Sequence, residues 1–393
     1  MPADLSAGAY RLIVAVLPGA VAGRVLPGLA RQFRETGVTT VADARRRLLI
    51  TPVNSAGQGQ AWARAAERLP EVSAASTMFR GGDDVFGFTA DHVIPATALV
   101  GNERWRRAQG KAISHGFTHV IIESGRHPFR PDGSVLDLVR ELEDAGIRVA
   151  LLWHGSDIRL PSAHAAAEPD SPFRDGAYVD TAALESIAAA NARLSAASGV
   201  PVFVSTADLL EFVPGAVWLP VVVDAERWAT AAARPALTGE GPLRVVHVPS
   251  RAGLKGSHRI ADTMQQLHDE GVVEYTELHG IPSDRMPEVV GAADIVLDQF
   301  LAGAYGVAVC EALAAGRLVV SHVAEGTREA VRRASGRDLP VVQARAAELE
   351  GVLRGIAADR AAFAARAAEG PDFVRAVHDG TMSAEVLRPF LDS

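Results

Sequence analysis

The sequence predicts an α/β protein built from two parallel sheets, each covered by helices on both faces. Three observations predict it. Apolar runs of strand length alternate with segments of helical periodicity along the chain, the signature of sheets wound with helices on both sides. At 393 residues the chain exceeds one ordinary core and favours two units of about 150 to 200 residues each. The composition, 48% hydrophobic, 22% charged and 6% aromatic, is that of a soluble globular protein, and no apolar run approaches the length of about 20 residues that spans a bilayer.

Residues 1–45 read as a strand at 11–17, a turn at Pro18-Gly19 and a helix to about residue 35, added before the first sheet proper. The run 12–22 faintly imitates a secretory leader, but its flank is weakly basic, contains Asp4, and Pro18 interrupts the apolar core. The first unit, residues 1–228, then shows strands at 47–53, 119–123, 149–153, 202–205 and 217–219. Helices are expected at 60–69, 102–115, 134–145 and 181–198, the last stopped by Gly199-Val200-Pro201. A linker is expected over 229–242, where Ala-Arg-Pro and Gly-Glu-Gly-Pro interrupt both periodicities. The second unit, 243–370, carries strands at 244–248, 274–278, 294–297, 319–322 and 339–342. Its helices are expected at 257–270, 285–292, 307–315, 327–334 and 344–367. The tail, 371–393, has apolar residues at helical spacing and is expected to pack back on the first unit.

A formal net charge of -8 and a pI near 5.9 argue against a nucleic acid or acidic membrane held by general electrostatics. Cys310 is the only cysteine, so no intramolecular disulfide can form and a four-cysteine zinc site is excluded; this fits a reducing cytoplasm, the expected location. Among 39 basic residues only Lys111 and Lys255 are lysines. Lys111 lies on a charged helix with Arg104, Arg106 and Arg107 and reads as part of a solvated face. Lys255 lies in a glycine-flanked turn.

Three constellations could carry chemistry. The stretch 303–316 places a glycine turn and a helix start after the buried strand Ala293-Asp294-Ile295-Val296-Leu297-Asp298. A helix starting near Val307 aims free N–H groups and its positive dipole end at whatever lies over the turn, and phosphate is the natural guest. Glu311 falls about one turn into that helix among apolar residues, where a carboxylate needs a partner, and a sugar diol would provide one. The run His247-Val248-Pro249-Ser250-Arg251-Ala252-Gly253-Leu254-Lys255-Gly256-Ser257 follows the second unit's first strand, at the edge where open α/β sheets bind ligands. Arg251 and Lys255 together could neutralise a diphosphate, with Ser257 capping the next helix; alone, the turn reads equally well as structural. Leu151-Leu152-Trp153-His154-Gly155-Ser156-Asp157-Ile158-Arg159 lies at a strand's carboxyl end in the first unit, where His154 could bond a sugar hydroxyl and Asp157 could orient it or hold the loop. Nearby strand ends supply Glu123-Ser124-Gly125-Arg126-His127 and the glycine loop Pro52-Val53-Asn54-Ser55-Ala56-Gly57-Gln58-Gly59-Gln60, which is either a ligand-lining loop or only a tight strand-to-helix turn. The loop 160–178, with His164, Asp170, Arg174 and Asp175, reads as a solvated connection long enough to be functional. No Asp-x-Asp occurs, so no metal site is expected and Arg251 and Lys255 would neutralise charge instead.

The order of His247 to Ser257, Leu278-His279-Gly280, Ala293-Asp294-Ile295-Val296 and 303–316 resembles the donor-binding domain of retaining GT-B glycosyltransferases of the group 1, family 4 type, closely over 240–330 and more loosely over the first half. The resemblance implies two Rossmann-like domains facing a cleft, with a nucleoside-diphosphate sugar in the second and a small-molecule or glycan acceptor in the first. It implies further that Arg251 and Lys255, with Ser250, bind and ease departure of the leaving diphosphate. Glu311 would bind the ribose, and backbone groups of His279, Gly280 and Ile281 the base. The amides of Ala304, Tyr305, Gly306 and Val307 would hold the donor sugar and phosphate, and Asn54 and Gly57 would face them from the first domain. His154 and Asp157 would act at the reacting centre, and Glu123, Arg126 or His127 would touch acceptor. Retention of anomeric configuration, and no cofactor beyond the donor itself, are also implied. Two departures stand out. Gly303 occupies the place of the first acid of the family's paired-glutamate motif, with Asp298 and Gln299 as candidate substitutes, and Arg251 lies one position before the family's usual arginine at what is here Ala252. Two other readings therefore stay open: a nucleotide-sugar-binding scaffold without catalysis, and a GT-B-fold nucleotide-sugar epimerase.

Overall fold

The computed structural model describes residues 27–81, 84–174, 178–232 and 234–393. The strand expected at 11–17 and the leader-like run lie outside the described residues, as does Asp175. The helix expected before residue 35 is described over Pro27–Glu35.

The first sheet has seven strands in the order β3-β2-β1-β4-β5-β6-β7. They are β1 (Arg46–Thr51), β2 (Val72–Arg80), β3 (His92–Pro95), β4 (His119–Glu123), β5 (Arg148–Trp153), β6 (Val202–Val204) and β7 (Val217–Trp218). Every pairing is parallel, with Ile50 opposite Ile121 and Ile121 opposite Ala150 at the centre. Parallel strands are covered on both faces, so the central ones are near-continuous apolar runs, and Leu48, Leu49, Ile50, Val120, Ile121 and Ile122 are fully buried. β2 and β3 were not expected. β2 reads Val-Ser-Ala-Ala-Ser-Thr-Met-Phe-Arg, whose small and hydroxylated residues hide a buried strand from an apolar-run reading. Its polar groups are satisfied locally: Thr77 meets Thr51, and Ser76 donates to Asp91 at 2.9 Å.

The second sheet runs β12-β11-β10-β8-β9, again all parallel. Its strands are β8 (Leu243–His247), β9 (Val273–Glu277), β10 (Ile295–Leu297), β11 (Leu318–Ser321) and β12 (Val342–Gln343). The strand expected at 339–342 is shifted toward the C-terminus. Leu339 and Val341 are buried, but the carbonyls of both accept from Arg328 rather than joining the ladder. The single helix expected over 344–367 is broken at Asp359, whose side chain caps the helix Arg360–Ala368 after Leu349–Ala358 ends.

In both sheets the chain leaves its first strand in one direction and returns on the other side, which opens a crevice at the carboxyl ends of β1 and β4 and of β8 and β10. Helices Gly370–Val377 and Thr381–Leu391 cross back to the first sheet. Phe390 packs edge-on against His119 and Phe203, Ser383 donates to Pro220 O at 2.8 Å, and Arg46 pairs with Asp392 at 2.8 Å. None of the helices of the described residues is long and apolar enough to cross a membrane.

Candidate active site

The two crevices face one cleft of about 400 Å3. The second sheet lines it with Ser250, Arg251, Lys255, Asp298, Gln299 and Glu311, and the first with Ala56, Phe86, Phe88, His154, Ser156 and Arg159.

On the second sheet's side the loop after β8 is pinned first. His247 is fully buried, with Nδ1 on Leu297 O at 2.9 Å and Nε2 on Ser257 Oγ at 2.8 Å, which ties β8, β10 and the helix Ser257–Asp269 together. Ser257 therefore spends its hydroxyl on His247 and does not cap its helix; that position belongs to Gly256, at φ 81°. A Cβ on Gly256 would stand 2.7 Å from Leu301, so glycine is needed there for space as well as for conformation. The turn ahead of it is the short helix Ala252–Lys255, and Lys255 pairs with Asp298 at the end of β10. Arg251 reaches across the cleft to Ser156 Oγ at 3.3 Å.

Beside these cations lies the turn that opens the helix Val307–Ala314. Gly303 adopts φ 63°, as the turn requires, whereas Gly306 is extended and a Cβ there would meet nothing within 4 Å. The carbonyl of Gly303 accepts from Ala324 N–H at 2.8 Å and Thr327 Oγ1 at 3.1 Å. Ala304, Tyr305, Gly306 and Val307 line the cleft, while the hydroxyl of Tyr305 lies 3.2 Å from His378 Nε2. Burial pushes Glu311 up to about 8, against the opposing pull of Arg227 and Lys255. At neutral pH this carboxyl is mostly protonated, able both to donate and to accept. Asp298 and Gln299 also line the cleft, yet both are engaged, Asp298 by Lys255 and Gln299 by Ala304 O.

On the first sheet's side Glu123 is an organiser, not a free acid. It is fully buried, accepts from Val53 N–H and Asn54 N–H at 2.8 and 2.9 Å, and receives His154 Nε2 at 3.0 Å. Burial alone would lower the basicity of His154, but the bond and charge of Glu123, with Asp157, raise it above the ordinary histidine value. Trp62 stacks on the imidazole at 5.8 Å, so ring orientation is fixed and Nδ1 is its remaining polar atom. Asp157 holds the loop: it accepts from His154 N–H at 3.0 Å, Gly155 N–H at 2.8 Å and Ser124 Oγ at 2.7 Å.

Several expected contacts are corrected by this geometry. Asn54 is buried, with its amide on Thr89 O at 2.7 Å and its oxygen accepting from Gln60 N–H at 3.0 Å, so it braces the loop while Ala56 faces the cleft. Gly57, at φ 76°, packs under Phe88. Glu123 cannot reach an acceptor. His127 is buried against Phe129, takes two backbone N–H groups on Nδ1, and is lowered to about 4 by burial and Arg130. Neither it nor the exposed Arg126 lines the cleft. Gly280 and Ile281 do line it, whereas His279 is exposed and pairs with Glu277 at 2.9 Å.

Other residues were not expected. Arg159 adds a third cation to the cleft, backed by buried Asp208. Phe86 and Phe88 stack at 6.1 Å over the apolar end, and Phe86 O accepts from Ser283 N–H of the facing side at 2.9 Å. Arg159 stands two residues after the His-Gly-Ser-Asp run, within the stretch singled out from the sequence but with no role assigned there, and the Phe pair belongs to a loop whose flanking strands were missed. Among the described residues no cluster of histidine, cysteine or acidic side chains converges to hold a metal.

The architecture has solved counterparts. HepE of Anabaena, in complex with UDP and glucose, superposes with a TM-score of 0.55 at 12% identity, over 88% of this chain and 99% of that one. Sucrose-phosphate synthase of Thermosynechococcus elongatus gives 0.54 at 12% identity, with 88% and 99% covered. The catalytic domain of starch synthase IV of Arabidopsis thaliana, bound to ADP and acarbose, gives 0.55 at 9% identity, with 89% and 99% covered. No protein-family model and no curated protein sequence matches the chain. At these identities the likeness establishes the fold: two Rossmann-like domains in the GT-B arrangement.

Proposed function

We propose that the protein is a glycosyltransferase that binds a nucleoside-diphosphate sugar against the second sheet and transfers the sugar to an acceptor entering from the first. One observation carries the reading: a single cleft collects Arg159, Arg251, Lys255 and the start of the helix Val307–Ala314 within a protein of net charge -8, with Glu311 and Gly280-Ile281 beside them. The cations and helix amides suit a diphosphate, and Glu311 suits a ribose diol. HepE with UDP and starch synthase IV with ADP, both of this fold, support a nucleotide ligand.

In the proposed reaction the bond from anomeric carbon to phosphate oxygen breaks as negative charge grows on the leaving diphosphate. Fixed cations at that point lower the barrier, which would dispense with a metal. His154, held by Glu123, presents Nδ1 to the transferred sugar. By its resemblance the transfer retains anomeric configuration, with the acceptor attacking from the face the diphosphate leaves. Phe86 and Phe88, bridged to Ser283, would close the cleft against water.

Isothermal titration with UDP, ADP and GDP tests the site. One should bind, and Lys255→Ala should weaken it by about thirtyfold, the worth of about 2 kcal/mol for a charged contact. Unchanged affinity in Lys255→Ala and Glu311→Ala places the nucleotide elsewhere. Gly303 motivates a second reading, a nucleotide-sugar-binding protein without transfer. Tight binding of a nucleotide sugar that is neither transferred nor hydrolysed, across a panel of acceptors, would establish that alternative.

A further inference from the structure

The space that a side chain at position 303 would enter is already taken by an acid from the other domain. A Cβ built on Gly303 would lie 3.0 Å from Ala324 Cβ and 3.4 Å from Glu168 Oε2. Glu168 follows the helix Pro161–Ala167, which replaces part of the solvated loop expected there. This segment belongs to the first domain, and its His164 and Glu168 are buried and bonded to the second. His164 donates from Nε2 to Ala302 O at 3.1 Å, one residue before Gly303, and is itself set by Ser171 Oγ at 2.7 Å. Glu168 accepts from His322 Nε2 at 2.9 Å and from Arg345 at 2.7 Å, and Arg345 also pairs with Asp170. His322 is fixed on its other side by Gln343 Nε2 at 2.8 Å, and Gln343 Oε1 accepts from Val323 N–H at 3.0 Å. Ala324 and Thr327, shortly after His322, hold the carbonyl of Gly303.

His322, Ala324, Glu168 and Arg345 also line an open pocket of about 840 Å3, so the brace is held by its own hydrogen bonds rather than by packing on that side. We propose that Glu168, with His164, is a positioning residue that sets the 302–306 turn from the first domain, standing in for the side chain absent at 303 without touching the ligand. The inference rests on the donor-site reading for its functional consequence. Its charge state agrees with the geometry, because Arg345 and His322 overcome burial and hold the Glu168 carboxyl below the ordinary range. An acid at 303 would face this carboxylate at contact distance, so the two positions carry one acid between them.

Hydrogen–deuterium exchange on the full chain tests the brace without a ligand, and UDP, ADP and GDP titrations test its consequence. Glu168→Ala should speed exchange of the Ala324 amide, which donates to Gly303 O at 2.8 Å, about tenfold while β8 and β10 keep wild-type protection. It should also weaken whichever diphosphate the wild type binds by about fivefold. Glu168→Gln keeps the size and an acceptor for Arg345 and should bring both readouts back to within about twofold. Unchanged exchange at Ala324, acceleration spread evenly over the second sheet, or a Gln variant as impaired as the Ala variant overturns the proposal. A wild type that binds none of the three diphosphates rejects the donor-site reading instead, and the exchange result still decides the brace.

Discussion

Glu311 is the residue whose chemistry changes most on the proposed binding. In the folded chain burial pushes its carboxyl up to about 8, well above the ordinary carboxylate value, so between those values the native state holds a proton that the unfolded chain has lost. Stability therefore falls as pH rises through that interval. Two hydroxyl donors from a diol would favour the anion, so nucleotide binding at pH 7 should release a proton, a release absent in Glu311→Gln; titration in buffers of different ionisation enthalpy measures it. His154 has the same sign in a different range. Its raised value means that the bond to Glu123 stabilises fully below about pH 6.5 and is lost as pH rises through the higher folded value. Denaturant midpoints should show the wild type's advantage over His154→Gln shrinking in that direction, while His154→Ala, which strands a buried carboxylate, should cost about 3 kcal/mol. Lysine scarcity made Lys255 legible in the sequence, and its isolation in an apolar helix did the same for Glu311. The parts of Glu123 and Asn54 were not legible, because a buried organiser and a ligand contact carry the same residue types.

Among elements, the strands and helices with strong periodicity were readable to within a few residues, and β2 was not, since its Ser, Ala and Thr give no apolar run. The helix Pro161–Ala167 was hidden for a related reason: its alanines give no apolar periodicity, and its single histidine reaches across the domain boundary to Ala302 O. Close approach of elements leaves a clearer trace, in glycine. Gly370 begins the first of the helices that cross back, and a Cβ there would stand 2.6 Å from Leu313 O on the helix that opens the donor turn. Gly370→Ala should separate these helices at a cost of about 2 kcal/mol, read as a lower urea midpoint, with weaker diphosphate binding because the Val307–Ala314 helix moves.

At the scale of the molecule, the alternation of elements predicted two parallel sheets, but not the strand order, because crossover connections carry no mark of where the chain returns. What the sequence did show was the amphipathic spacing of 371–393, and the structure explains its cost. His378 donates from Nδ1 to Val221 O at 2.8 Å and receives Tyr305, with burial lowering it to about 4, so one neutral imidazole joins the donor turn to the end of the first sheet. Phe390, Leu387 and Leu391 then complete the first core. The order of synthesis is therefore at odds with the order of completion. A ribosome adding about 5 to 20 residues per second makes β7 and then roughly 160 further residues before Thr381–Leu391 exists. For something like 8 to 30 seconds the nascent first sheet exposes the apolar face around Phe203 and His119, a window in which a chaperone or a neighbouring chain can reach it. A chain stopped after residue 370 stays in that state, and should partition into the insoluble fraction on expression while the full chain remains in solution; the half that is made first is the last to be finished.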